Sequence, residues 1–303
     1  MRLKFHTLDV FTETRFAGNP LAVVHEADGL SDQQMQAIAR EFALSETVFV
    51  QKSERPAHTA KVRIFTPTTE LPFAGHPTVG TAALLAELRT PASTGDGDTL
   101  IVLELKVGTV RVGVRQRPGK APFAEFDLPK LPERGVAPPA ADRMAAALGL
   151  IPGEIGFENH RPTIYSAGVP FAFVPVGTRA AMARATVVAP HFGQVFTAPM
   201  PGGAFLYCRE TVHTTSAFHA RMFWPSAGVI EDPATGSAAA AFAGVVHQFD
   251  TPRDGQLRKV IEQGFEMGRP SLITLSLDVE GGRLKAARIG GSAVHVSEGS
   301  IEV

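Results

Sequence analysis

Four side chains of this sequence, Glu46, His76, Asp232 and Ser237, are of the types that move protons or hold a developing negative charge, and three of them sit in a phrase written twice. Arg63-Ile-Phe-Thr-Pro67 leads into His76-Pro-Thr-Val-Gly-Thr-Ala-Ala83, and Arg221-Met-Phe-Trp-Pro225 leads into Asp232-Pro-Ala-Thr-Gly-Ser-Ala-Ala239. His76 and Asp232 stand 232 − 76 = 156 residues apart at matching places, each just before a proline. Taken singly, Asp232 reads as a helix N-cap and His76 as a turn residue. Taken together, they are a titratable pair on two related turns, which suits acid/base chemistry. Glu46, in Leu44-Ser-Glu-Thr-Val-Phe-Val50, opens an apolar strand. Such an acid either points at solvent or sits in a cleft where desolvation tunes it for proton transfer. Its counterpart in the second copy falls near Gly203, so the carboxylate is not duplicated. Ser237 lies outside any Gly-x-Ser-x-Gly elbow, so hydrogen bonding to a substrate oxygen fits it better than a nucleophile's role.

The elements that must position these groups read as strand, tight turn, helix. Pro77 and Pro233 suit a first helical turn, where a missing N–H costs nothing, and the alanine-rich stretches that follow favour helix. Both helices carry almost no charge and are expected to be buried. First turns containing Gly80 beside Thr81, and Gly236 beside Ser237, would present backbone N–H groups to an anion. A cleft between the two halves, gripping a small carboxylate from both sides, is the natural site. A fainter echo pairs Gly18-Asn-Pro-Leu-Ala-Val-Val24 with Gly168-Val-Pro-Phe-Ala-Phe-Val174.

The spacing predicts strands at 3–10, 21–25, 46–51, 60–66, 100–106 and 109–115, with helices from Ser31, where Ser31-Asp-Gln-Gln34 fits a capping box, and from Pro77. A second round follows: a helix over 140–149, strands at 171–176, 203–208 and 219–223, a helix from Pro233, and strands at 271–279, 284–289 and 293–303. The order predicts an α+β fold of two pseudo-twofold-related domains, each a barrel-like, mostly antiparallel sheet around a central buried helix. Breakers at 117–122 place the boundary at 1–117 and 118–303, and Pro91 to Asp98 reads as a surface loop.

A hydrophobic content of 44% and a charged content of 19% give ample core for a globular enzyme. A net charge of −1 without a long basic stretch excludes nucleic acid as a partner. No apolar run reaches a membrane span, and no secretory leader is legible at Met1, so a cytoplasmic location is expected. The single cysteine, Cys208, excludes an internal disulfide and reads as a buried strand thiol. His213, His219, His247 and His295 show no ligand spacing, so no metal is expected, and the glycine motifs lack a nucleotide-binding pattern.

The motifs together, Asp9-Val-Phe-Thr12, Phe16-Ala-Gly-Asn-Pro-Leu-Ala-Val-Val24, Ser45-Glu-Thr47, Glu70-Leu-Pro-Phe-Ala-Gly-His-Pro-Thr78, Glu231-Asp-Pro-Ala-Thr-Gly-Ser237 and Gln263-Gly264, resemble the PhzF-like phenazine-biosynthesis isomerases over nearly the whole chain. That resemblance implies the fold of diaminopimelate epimerase, with a C-terminal strand at 298–303 that returns to the first domain. It implies Glu46 as proton carrier, with His76, Asp232 and Ser237 holding substrate and tuning charge; Gly75, Thr81, Gly236 and Asn19 are the residues expected to bind substrate beside them. Ala74 stands where thiol-dependent epimerases of that fold carry cysteine, so a two-thiol mechanism is not expected. Cofactor-independent isomerisation or epimerisation of a small carboxylate by a homodimer is the implied function. The alternatives are an amino-acid epimerase or racemase, and a binding protein that kept the fold.

Overall fold

Val110, Val112 and Val114 are buried while Arg111, Gly113 and Arg115 face outward, the period-two pattern of a strand with one wet face. Strands supply most of the regular structure of the chain, whose computed structural model describes residues 1–90 and 96–303. Most of the loop expected over 91–98 therefore lies outside the described residues. The chain divides into two compact units, Met1–Pro129 with Ile289–Val303, and Lys130–Arg288.

The first unit contains β1 (Arg2–Val10), β2 (Asn19–Val24), α1 (Asp32–Phe42), β3 (Glu46–Gln51), β4 (Ala60–Phe65), β5 (Glu70–Leu71), α2 (Gly75–Arg89), β6 (Gly97–Leu105), β7 (Gly108–Gln116) and β8 (Phe123–Asp127). The later part of β17 (Arg283–Glu302) completes it. Its pairings run β1–β2 antiparallel, β2–β3 parallel, β3–β4 antiparallel, β4–β6 parallel, then β6–β7 and β7–β8 antiparallel. β8 pairs with β17, and β17 returns to β1. Eight strands thus close a ring with no free edge. Helix α2 touches β1, β2, β3, β6, β7 and β8, so it fills the barrel, which explains why Gly75 to Leu84 are all buried. Gly80 is fitted to that interior: a Cβ there would lie 2.6 Å from Val10 and 2.7 Å from Leu21. Outside the barrel, Ser31 caps α1 in a reciprocal capping box with Gln34.

The second unit contains β9 (Glu133–Arg134), α3 (Ala141–Ala147), β10 (Thr163–Ser166), β11 (Pro170–Pro175), α4 (Arg179–Arg184), α5 (Ala189–Val195), β12 (Ala204–Cys208), β13 (Phe218–Trp224), β14 (Val229–Asp232), α6 (Gly236–Asp250), β15 (Gly255–Gln263), β16 (Ser271–Glu280) and the start of β17. The strand plan repeats: β10–β11 antiparallel, β11–β12 parallel, β12–β13 antiparallel, β13–β15 parallel, β15–β16 antiparallel. Phe242 of α6 sits among Phe173, Phe205, Tyr207 and Phe218 with ring centroids 4.7–5.7 Å away, the aromatic core of this unit. Cys208 is fully buried, and burial pushes its thiol up to about 12, which makes it a structural side chain.

The division falls at Pro129/Lys130 and not at 117/118. The breakers at 117–122 form the turn between β7 and β8, and β8 pairs with β7 and packs on α2, so that turn is internal to the first unit. Residues 289–303 belong with the first unit through the β1–β17 pairing, a longer segment than 298–303.

One buried polar cluster gives the second unit a pH dependence. His219 lies 2.8 Å from both Glu262 and Glu266. Burial alone would lower its pKa, but the two carboxylates outweigh it and raise the ring to about 9. A folded pKa above the ordinary 6.5 contributes stability that is full below 6.5 and is lost as pH rises through about 9. Urea midpoints should therefore fall between pH 7 and 10, with a shallower slope in His219→Gln. Among the described residues, no helix is long and apolar enough to cross a membrane.

Candidate active site

Glu46 is the rim residue of an otherwise apolar strand: Thr47, Val48, Phe49 and Val50 behind it are buried. In the parallel β2–β3 register it stands opposite Leu21. Its side chain is 17% exposed, and Oε2 lies 3.3 Å from Nδ1 of His76, whose side chain is 4% exposed. Of the two sequence readings, solvent or enclosure, the structure places Glu46 in the enclosed one.

His76 is the second residue of α2. Burial pushes its pKa down to about 3, offset in part by the Pro20 carbonyl. The imidazole is therefore neutral at neutral pH, and the contact with Glu46 joins a carboxyl group to a neutral ring instead of a pair of full charges. His76 Nε2 and the Thr81 hydroxyl are buried without a hydrogen bond of good geometry, and Thr47 Oγ1 beside Glu46 is in the same condition. Orphaned buried polar atoms are rare, and the one on His76 belongs to the ring set against Glu46. Asn19 opens β2, fully buried, opposite Val10.

Helix α2 starts at Gly75, earlier than the expected Pro77. Its first helical bond runs from Thr78 N to the Ala74 carbonyl, so the N–H groups of Gly75 and His76 lie ahead of the ladder, and no side chain caps them. Pro77 does occupy the first turn. Gly80 does not: it lies more than a turn further in and serves helix–strand packing, so its N–H is not among those ahead of the ladder.

In the second unit the matching phrase folds differently. Asp232 ends β14, paired with Met222, and Pro233 lies outside the helix, which begins only at Gly236. Thr235, and not Asp232, occupies the N-cap position. The Thr235 hydroxyl donates to Asp232 Oδ2 at 2.6 Å. Buried Gln263 then ties the turn, donating from Nε2 to the Asp232 carbonyl at 2.7 Å and accepting from Thr235 N–H at 3.1 Å. Gly264 allows the close approach: its φ is +78°, and a Cβ would lie 2.6 Å from the Pro233 carbonyl oxygen. Gly236 and Ser237 are the first two helical residues, ahead of the bond from Ala239 N–H to the Thr235 carbonyl. Ser237 is half-buried.

Sequence reasoning left Thr235 and Gln263 out of the site. The signal for the second was the Gln263-Gly264 pair closing a strand, a place where glycine permits two backbones to meet. Gln263→Leu should cost about 1–3 kcal/mol in urea unfolding, because it removes the side-chain hydrogen bonds that tie Thr235 and Asp232 to β15.

The repeated arginines are structural. Arg221 grips Glu231 with two 2.8 Å bonds and donates to the carbonyls of Met182 and Ala185, while Arg63 grips Glu70 at 2.7–2.8 Å. Each pins the hairpin that delivers its turn. At the place equivalent to Glu46, a side chain on Gly203 would meet Met222 at 2.6 Å and Phe171 at 3.2 Å, so apolar groups fill the space a carboxylate would need. A roomy surface hollow of the first unit, about 580 Å³, lies around Gln51, at the opposite end of β3 from Glu46. It is lined by already paired charges such as Lys61–Glu54 and His58–Glu104.

The chain is similar to known proteins along nearly its whole length. The family described as phenazine biosynthesis-like protein, PhzC-PhzF, matches residues 8–299. An uncharacterized isomerase of Mesorhizobium japonicum is 52% identical over 301 residues, covering 97% of this chain and 96% of its own. The trans-2,3-dihydro-3-hydroxyanthranilate isomerase of Pseudomonas aeruginosa is 34% identical, covering 98% of each chain. The crystal structure of a Bacillus anthracis phenazine biosynthesis protein of the PhzF family superposes with a TM-score of 0.88 at 27% identity, covering all of both chains. Solved epimerase structures share the fold as well. With a barrel wound around a buried helix, a rim glutamate set against a histidine and a family match from residue 8 to residue 299, the chain is an isomerase of the PhzC-PhzF family, the phenazine biosynthesis-like proteins.

Proposed function

We propose that this isomerase relocates a proton on a small carboxylate without a cofactor, with Glu46 as the proton carrier. The observation that carries the reading is the Glu46 carboxyl group held 3.3 Å from a neutral His76 at the uncapped start of α2. Glu46 takes a proton from a carbon acidified by a neighbouring carboxyl, carbonyl or alkene, and the C–H electron pair moves into that acceptor. The same carboxylic acid then returns the proton to another carbon or another face. The charge that builds up is met by the N–H groups of Gly75 and His76. Donors aimed in advance at developing charge contribute about 3–4 kcal/mol each when they are well placed. A neutral imidazole is the right partner for that step, because it neither competes for the proton nor adds an ionisation near neutral pH.

Asp232 and Ser237 are proposed as substrate-holding residues. Asp232, oriented by Thr235 and Gln263, would hold an amino or hydroxyl group of the substrate, and Ser237 with the Gly236 N–H would hold an oxygen. Thr81 and Asn19 complete the proposed binding set. The name of the Pseudomonas aeruginosa relative indicates a class to try first, ring carboxylates bearing an amino and a hydroxyl group. A homodimer is the proposed assembly.

The test follows proton signals by NMR in deuterated water, with trans-2,3-dihydro-3-hydroxyanthranilate and a panel of small amino and hydroxy acids. Deuterium entering along an alkene shift supports the reading. Exchange confined to the α-carbon of an amino acid would make the protein an epimerase instead. No enzyme-dependent exchange with any member would overturn it.

A further inference from the structure

Three histidines and a glutamate of the first unit stand apart from the residues of the proposed reaction. His6 is on β1 and Glu298 faces it directly on β17, while His295 faces Leu8. His6 and Leu8 share a face of β1, so all four positions lie on one side of the sheet. In a regular strand, residues 295 and 298 would point to opposite faces. Here Thr7 pairs with Ser297 and Leu8 with His295, so Val296 is an extra residue, and this bulge brings His295 into phase with Glu298. Bulges re-aim side chains in this way, and here the result is a convergence of ligand-type atoms.

The distances are short. One ligand atom from each of His6, His295 and Glu298 falls within 4.8 Å of the others, and His6 Nε2 lies 3.4 Å from the Glu298 carboxylate. The other nitrogen of His6, Nδ1, is 2.8 Å from Nε2 of His25, which fixes the ring's orientation. His295 donates from Nε2 to the Ser297 carbonyl at 3.1 Å, which leaves Nδ1 as its lone-pair nitrogen.

We propose that His6, His295 and Glu298 form a zinc site, with His25 orienting His6 through its far nitrogen. Two imidazoles and one carboxylate are a borderline donor set that suits Zn²⁺ and not the oxygen-seeking Mg²⁺ or Ca²⁺. Ligand atoms on a tetrahedral zinc stand about 3.3–3.5 Å apart, given bonds of about 2.0–2.2 Å. The His6–Glu298 spacing already matches, and His295 closes the rest by a side-chain rotation. Three protein ligands leave a fourth position for water or a small ligand. Because the ligands come from β1 and β17, bound metal clips the closing strand of the barrel to the first one.

The experiment uses the full chain, stripped of metal, titrated with Zn²⁺ against a chromophoric chelator, with Co²⁺ as a spectroscopic stand-in. His295 and Glu298 are the residues to change, because both reach the surface and their loss spares the core, whereas His6 is buried. One equivalent of Zn²⁺ should bind, Tm should rise with zinc, and Co²⁺ should give tetrahedral ligand-field bands. His295→Ala and Glu298→Gln should each weaken binding at least about tenfold, while His58→Ala, at a histidine of this unit paired with Glu104, should leave it unchanged. Absence of stoichiometric binding overturns the proposal. So does affinity that survives both ligand changes, or that falls equally in His58→Ala.

Discussion

Glu46→Gln should lower turnover by about a hundred- to ten-thousand-fold, the range that a positioned general acid/base contributes, while leaving the thermal midpoint close to the parent's. The substitution keeps size and hydrogen-bonding capacity at a side chain that is only 17% exposed, so packing against His76 survives and only proton transfer is lost. Deuterium exchange into substrate measures the first effect, and a thermal scan measures the second. Near-normal exchange in the variant would remove Glu46 from the mechanism. His76→Asn separates the two partners. Since the His76 ring is already neutral near pH 7, the variant should lose rate without shifting the acid limb of kcat/KM. A shift would mean that the ring titrates in the reaction.

Arg221→Met should cost about 3–5 kcal/mol, the usual penalty for breaking a buried ion pair by removing one partner. Both hydrogen bonds to Glu231 disappear, and the carbonyls of Met182 and Ala185 lose their shared donor. The same change at Arg63 should cost less. Glu70 keeps Lys106, which lies 2.5 Å away, and Arg63 leaves no comparable pair of carbonyls behind. Urea midpoints of the two variants, compared under one condition, test the ordering. Equal losses would show that the second arginine's extra bonds contribute nothing.

The repeat was legible because its most constrained parts are spelled out: an arginine that must find a carboxylate, an aromatic inside a sheet, small residues on a helix that fills a barrel. The asymmetry was legible too, since Glu46 falls against Gly203, whose space Met222 and Phe171 occupy. Helix starts were less visible. Identical positions, His76-Pro77 and Asp232-Pro233, lie inside one helix and before the other, because Gln263 fastens the second turn from a strand thirty residues away, which no local propensity records. β8 and β15 escaped notice for a different reason. β8 alternates but is only five residues long, too short to stand out, and β15 is exposed or half-exposed over its first six residues and shows no regular alternation. The histidine cluster was illegible by spacing alone, since its members come from opposite ends of the sequence and meet only through a bulge.

The strand that closes the first barrel is also the stretch of chain translated after everything else in both units. During synthesis, residues 1–129 must wait with the edges of β1 and β8 unpaired while the whole of 130–288 emerges and can fold. The first barrel therefore gains its closing strand only when residues 289–302 leave the ribosome, so a nascent or prematurely terminated chain carries open, adhesive edges on β1 and β8 that the mature protein has covered.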